Sequence, residues 1–142
     1  MVGGLIMMFT MWWAYFDHGI ADCLQNRKRA FTWGYGHFFI FVSIAALGAS
    51  LAAAVDVSTH QAEISAQLMG WLVAIPLVIY TASLWLLHEA HHLQGIKKWL
   101  YPLSTIIVLS IPCVVSQIGY AVFAMAIVYA LRLIFSKCYL AR

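Results

Sequence analysis

Residues 33–55 read WGYGHFFIFVSIAALGASLAAAV, and the stretch holds no Asp, Glu, Lys or Arg. At 1.5 Å per residue an α-helix of this length rises about 34 Å, enough to cross the ~30 Å hydrocarbon layer of a bilayer. Four more apolar stretches surround it, at residues 2–16 or a little beyond, 67–87, 100–115 and 118–135. In lipid a backbone must satisfy its own N–H and C=O groups, which a helix does within one segment and an isolated strand cannot. The pattern predicts an all-α, polytopic transmembrane bundle of about five spans, forming one domain over residues 1–142.

Composition agrees. Of 142 residues, 64% are hydrophobic and 9% charged, whereas a soluble domain carries about a quarter of its residues charged. The mean hydropathy is +0.88. These values exclude a free cytosolic enzyme and a disordered tail. The net charge of +3 is too small and scattered for a phosphate-binding stripe, so no nucleic-acid partner is expected. The direct partner is the lipid bilayer. Cys23, Cys113 and Cys138 are an odd set without paired spacing, which implies neither a disulfide framework nor a cysteine zinc site. The start, Met1-Val2-Gly3-Gly4, has no basic segment, so the first apolar stretch reads as a span and not as a cleavable signal.

If all five stretches cross, the connections alternate sides. Arg27, Lys28, Arg29, Lys97, Lys98, Lys137 and Arg142 then share one side, with Arg132 one turn from it, and the other side has no Lys or Arg. The positive-inside rule makes the basic side cytoplasmic, with the N-terminus outside, in the inner (plasma) membrane. Pro112 and Gly119 interrupt the last two stretches, which leaves open a hairpin that dips in and returns. Trp12, Trp13, Tyr15, Trp33, Tyr35, Trp85, Trp99 and Tyr101 fall at span ends, as amphipathic rings do at headgroup depth. Ala45, Ala49 and Ala53, flanked by Ala46, Ser50 and Ala54, predict a flat face for close helix approach. Pro76 frees a carbonyl in the third span and predicts a kink.

Most of the acidic residues and histidines cluster near the cytoplasmic ends of the first three spans: Asp17, His18, His37, His88, Glu89, His91 and His92. His88-Glu89-Ala90-His91-His92 satisfies H-E-x-x-H, in which two histidines on one helix face hold zinc and the glutamate acts as base. Against a catalytic zinc stand its place at a helix end, the neighbouring Lys97-Lys98, and the lack of a dedicated third ligand beyond Asp17, His18 or His37. The reading leans away from an enzyme. His88 and His92 remain speculative ligands, and no metal or other cofactor is expected. Asp17 closes one span and His37 opens the next on the same side, so the pair predicts a carboxylate–imidazole contact; pairing of Asp17 with Arg27, Lys28 or Arg29 is the plainer alternative.

The run Trp12-Trp13-Ala14-Tyr15-Phe16-Asp17, the basic connection, and Tyr35-Gly36-His37 opening an Ala- and Gly-rich span resemble the C-terminal part of the bacterial low temperature requirement protein A family of multi-spanning membrane proteins. The resemblance is strongest over residues 12–54, looser over 70–87, and matches only in hydropathy over the last two spans. The matching positions are Trp12, Trp13, Tyr15, Phe16, Asp17, Tyr35 and His37. Family members are longer, so the resemblance implies a fragment or shortened relative, with partner helices supplying the missing half or a homo-oligomer. It implies a role in growth at low temperature without established catalysis, and a transport or accessory component. Two alternatives stand beside it: a zinc-dependent hydrolase at His88, Glu89 and His92, and a proton or cation translocator using Asp17, His37 and the Pro76 break.

Overall fold

The computed structural model describes residues 2–16, 27–89 and 97–140. Five helices follow in order: α1 (Val2–Phe16), α2 (Arg27–Ser58), α3 (Ala66–Leu84), extended by a π-helical turn (Trp85–Glu89), α4 (Lys97–Val114) and α5 (Ile118–Leu140). Three segments, Trp33–Ser58, Ala66–Leu87 and Ile118–Cys138, are long and apolar enough to cross a membrane, and Val2–Phe16 and Trp99–Val114 are shorter apolar helices. Each predicted stretch is thus a helix. The basic residues differ from expectation, for Arg27-Lys28-Arg29 and Lys97-Lys98 open α2 and α4 instead of lying in loops. Lys and Arg are good helix formers, and this preference prevails over the unfavourable placement of cations at the positive end of the helix dipole.

The helices alternate in direction. Tyr15 at the end of α1 meets His37 near the start of α2, Ser50 of α2 meets Leu72 of α3, Gly70 of α3 meets Pro112 of α4, and Tyr101 of α4 meets Arg132 of α5. The first and last helices then run parallel. A Cβ on Gly3 would lie 2.8 Å from Phe123 Cα, while at the far end Lys137 Nζ lies 4.8 Å from the Trp13 ring centroid. α5 therefore runs beside α1 along the whole length of α1, and it is itself long and apolar enough to cross a membrane, whereas α4 is a shorter apolar helix.

The contact-rich pairs are α2 with α3 and α1 with α5, and α3 also packs on α4 and α5. Met7, Ile40, Leu47, Met69, Val73 and Met125 are among the fully buried residues of the core. Large apolar side chains such as Phe9, Phe38, Phe41, Ile75 and Ile106 point outward, as lipid-facing positions do.

The small-residue face of α2 is only partly used. Ala54 is buried and Ser50 and Ala53 are half-buried, but Ala45, Ala46 and Ala49 are exposed. Positions four apart drift by about 40° per step on a 3.6-residue helix, so the row winds from the outer surface onto α3.

At Pro76 the packing answers the missing donor. The ring nitrogen leaves Leu72 C=O, four residues back, without its helical N–H. Ser50 Oγ lies 2.8 Å from Leu72 O and 2.8 Å from Ala46 O, so its one proton is shared between its own helix and the orphan on α3. Most other helix hydroxyls bond back within their own helix, as Thr10 to Ile6, Ser43 to Ile40 and Thr81 to Leu77 do. α2 ends with His60 at φ 59°, where His60 N–H donates to Val57 O and Gln61 N–H to Asp56 O. That is the paired bonding of a left-handed helix cap, and Ser65 Oγ then accepts from Leu68 N to cap α3.

Candidate functional site

The buried polar side chains gather at the end where α1 and α3 finish, α2 and α4 begin, and α5 approaches its C-terminus. Of the residues that match the family motifs, Tyr15 and His37 meet between α1 and α2. His37 is buried, and its ring stands edge-on to Tyr15, with centroids 5.8 Å apart and planes at 79°. His37 Nδ1 lies 2.7 Å from Trp33 O; a carbonyl only accepts, so Nδ1 carries the proton and donates. Trp33 at 4.0 Å and Phe41 at 6.1 Å complete an aromatic surround.

Trp12, Trp13, Phe16 and Tyr35 are exposed and form an outer aromatic layer. Trp12 packs on Phe16 at 5.3 Å, Tyr35 packs on Phe31 at 4.4 Å, and Trp13 underlies Lys137. Asp17 lies outside the described residues, and with it the expected Asp17–His37 contact. His18, His91 and His92 lie outside them too. The α-helix that would carry H-E-x-x-H ends at Leu84, and His88 and Glu89 fall in the π-helical turn. Among the described residues no three of His, Cys, Asp and Glu lie close enough to hold a metal ion.

The second part of the site is one that the sequence reading passed over. Tyr80, fully buried on α3, donates its hydroxyl to Met11 O of α1 at 2.6 Å. Its ring lies 6.4 Å from that of Tyr129 on α5. One turn further, Arg132 is 3% exposed, its guanidinium carbon 3.7 Å from the Tyr101 centroid and 4.6 Å from that of Tyr129. Arg132 Nε and Nη1 are buried and meet no hydrogen-bond acceptor among the described residues. Charge alone pointed to Arg132 as a residue one turn from the interface. In the structure α5 continues to Leu140, so Arg132 sits well within the helix and turns inward. Tyr80 and Tyr129 carried no local signal, because both stand in uniformly apolar runs.

Tyr80 therefore joins two lobes: Tyr15 and His37 on α1 and α2, and Tyr101, Tyr129 and Arg132 on α4 and α5. A guanidinium buried among apolar helices costs about 2.5–3.5 kcal/mol at span centre. Cation–π contact with two rings offsets part of that.

At the opposite end a cleft of about 450 Å³ opens between α1, α2 and α5, walled by Gly3, Gly4, Ala52, Ala54, Gly119 and Val122 among others. It is apolar and lies far from the buried charge.

The family model described as Bacterial low temperature requirement A protein (LtrA) matches residues 1–134, a span that takes in α1 to α4 and most of α5. Neither a curated protein nor a solved structure matches the chain.

Proposed function

The chain belongs to the bacterial low temperature requirement A protein family, and from that premise we propose that it is a multi-pass component of the inner membrane with a transport or accessory role and no catalysis of its own. The observation that carries this reading is Arg132, a permanent charge held 3% exposed inside a membrane helix. Ionisable groups in that setting face bundle interiors and mark sites of function. The basic openings of α2 and α4 support a cytoplasmic assignment for this end, with the N-terminus outside.

Flux through proteoliposomes tests the transport role. Purified protein is expected to raise permeability to at least one small ion over empty vesicles, and Arg132→Gln to abolish the increase. Equal flux for both proteins at equal incorporation would sink it. Orientation is read from the exposed thiols Cys113 and Cys138, which lie towards opposite ends of the bundle. An impermeant maleimide applied to intact cells should label Cys113 and spare Cys138; the reverse pattern refutes the assignment.

Proton movement is the second reading. It is favoured by His37, a buried imidazole whose ring stands edge-on to Tyr15 and whose Nδ1 donates to Trp33 O. Passage of a metal cation is disfavoured by the Arg132 charge.

A further inference from the structure

We propose that Arg132, with Tyr101 and Tyr129 beneath its guanidinium, is a binding site for an oxyanion: a phosphate or carboxylate group reaching the bundle from the basic end. The inference rests on the reading of this end as the working part of the protein and names the chemistry it accepts.

Arginine cannot shed its charge in a protein, so burial does not neutralise it as it would a lysine or histidine. The guanidinium carbon lies over both tyrosine rings, 3.7 and 4.6 Å from their centroids. A ring face is at most a weak acceptor for an N–H, so the rings do not replace hydrogen bonds to oxygen. Nε and Nη1 carry three of the five N–H bonds, and none meets an acceptor among the described residues. Asp56 and Glu63, the carboxylates whose side chains are described, stand at the opposite end, in the last turn of α2 and between α2 and α3. A planar fork of N–H donors fits the oxygens of carboxylate and phosphate, and a charged acceptor makes those bonds shorter and stronger than neutral ones.

Access and steering favour the same ligand. Arg132 lies six residues from Cys138, the end of the apolar part of α5, which is about 9 Å along a helix. Tyr101 lies in the second turn of α4. Arg27, Lys28 and Arg29 open α2, and Lys97 and Lys98 open α4, at this end. These five cations outnumber the acidic residues that the sequence places towards the same end, Asp17, Asp22 and Glu89, and a net positive excess raises the local concentration of anions. A free anion in the adjoining water and the phosphate of an acidic lipid share this chemistry.

The experiment measures binding by thermal unfolding of the intact chain in non-ionic detergent. Inorganic phosphate is titrated in one arm, and phosphatidylglycerol against phosphatidylcholine in the other. The wild type is expected to be stabilised in at least one arm. Arg132→Gln should weaken the half-saturating concentration by at least about tenfold, Arg132→Lys by less, and Lys137→Gln, an outer basic residue of the same helix, hardly at all. Should Arg132→Gln fail to fold, Tyr101→Leu, which removes the nearer ring and keeps the charge, is expected to weaken binding in its place. A response to phosphate identifies a soluble anion, and a response to phosphatidylglycerol alone identifies a lipid headgroup. The proposal is overturned if the wild type answers neither probe, or if the response survives Arg132→Gln and, where that variant does not fold, Tyr101→Leu. Binding is read without flux, so a wild type that binds but conducts nothing removes the transport role and leaves the anion site, whereas Arg132-dependent flux without binding does the reverse.

Discussion

The two ends of the bundle are built on opposite principles. At the basic end helices are held by aromatic and polar side chains: Tyr80 reaches from α3 to the backbone of α1, His37 lies against Tyr15, and Arg132 lies over Tyr101 and Tyr129. At the other end helices meet backbone to backbone, with Gly3 against Phe123 and Gly70 against Pro112, beside an apolar cleft. In lipid, apolar surface gives little drive for helix association, so either shape fit or interhelical bonding must supply it. This molecule relies more on shape at one end and more on bonding at the other, although Gly36 packs closely on Leu87 at the basic end and Ser50 bonds across to Leu72 away from it.

The sharpest break of that contrast comes at Gly3. A Cβ there would stand 2.8 Å from Phe123 Cα and 2.9 Å from its nitrogen, contacts that only a shift of the backbone relieves. Gly3→Leu is expected to cost about 3 kcal/mol or more and to lower the yield of folded protein. Gly48→Ala, with nothing within 4 Å of its added carbon, should fall on the stabilising side by up to about 1 kcal/mol. Thermal unfolding in detergent compares them, and equal destabilisation would contradict the close-packed end.

Arg132→Met sharpens the comparison from the other side. Replacing a buried charge with an apolar chain of similar length is often neutral or stabilising, so the melting temperature should equal or exceed that of the parent while flux is lost. A clear drop in melting temperature would show that the guanidinium serves the fold instead of the function.

Next in size is the Ser50–Pro76 pair. Ser50→Ala leaves Leu72 O without its donor and should cost about 1 kcal/mol. In a Pro76→Ala background the helical N–H returns and the same change should cost almost nothing. A double-mutant cycle gives the coupling directly, and additive costs would exclude the proposed repair of the proline gap. Tyr80→Phe should show the smallest effect, about 0.6 kcal/mol for one interhelical bond in a membrane protein. Its removal should loosen α1 selectively, visible as faster hydrogen exchange there than in α2.

The helices, their number and their alternating direction were legible in the sequence because lipid permits few alternatives: a run of about 20 apolar residues must be a helix. Of the motif residues named from the sequence, Tyr15 and His37 do meet, while Asp17 lies outside the described residues. The inward faces were not legible. α3 and α5 are apolar nearly all round, so no amphipathic stripe tells a core tyrosine from a lipid-facing one. Tyr80 and Tyr129 were invisible for that reason. Arg132 was visible as a lone charge in an apolar run, but charge position alone cannot separate a side chain that reaches outward to water from one that turns inward onto two rings. Similarly, the alanine row of α2 announced a flat face without showing that it winds out of the interface.

The parallel pairing of α1 with α5 has a consequence in time. The surface that receives Gly3 is made at Phe123, about 120 residues later. At about 5–20 residues per second, α1 waits on the order of 6–24 seconds in the membrane before its principal neighbour exists. α1 is thus enclosed on this side only after Phe123 has been made, long after α1 itself.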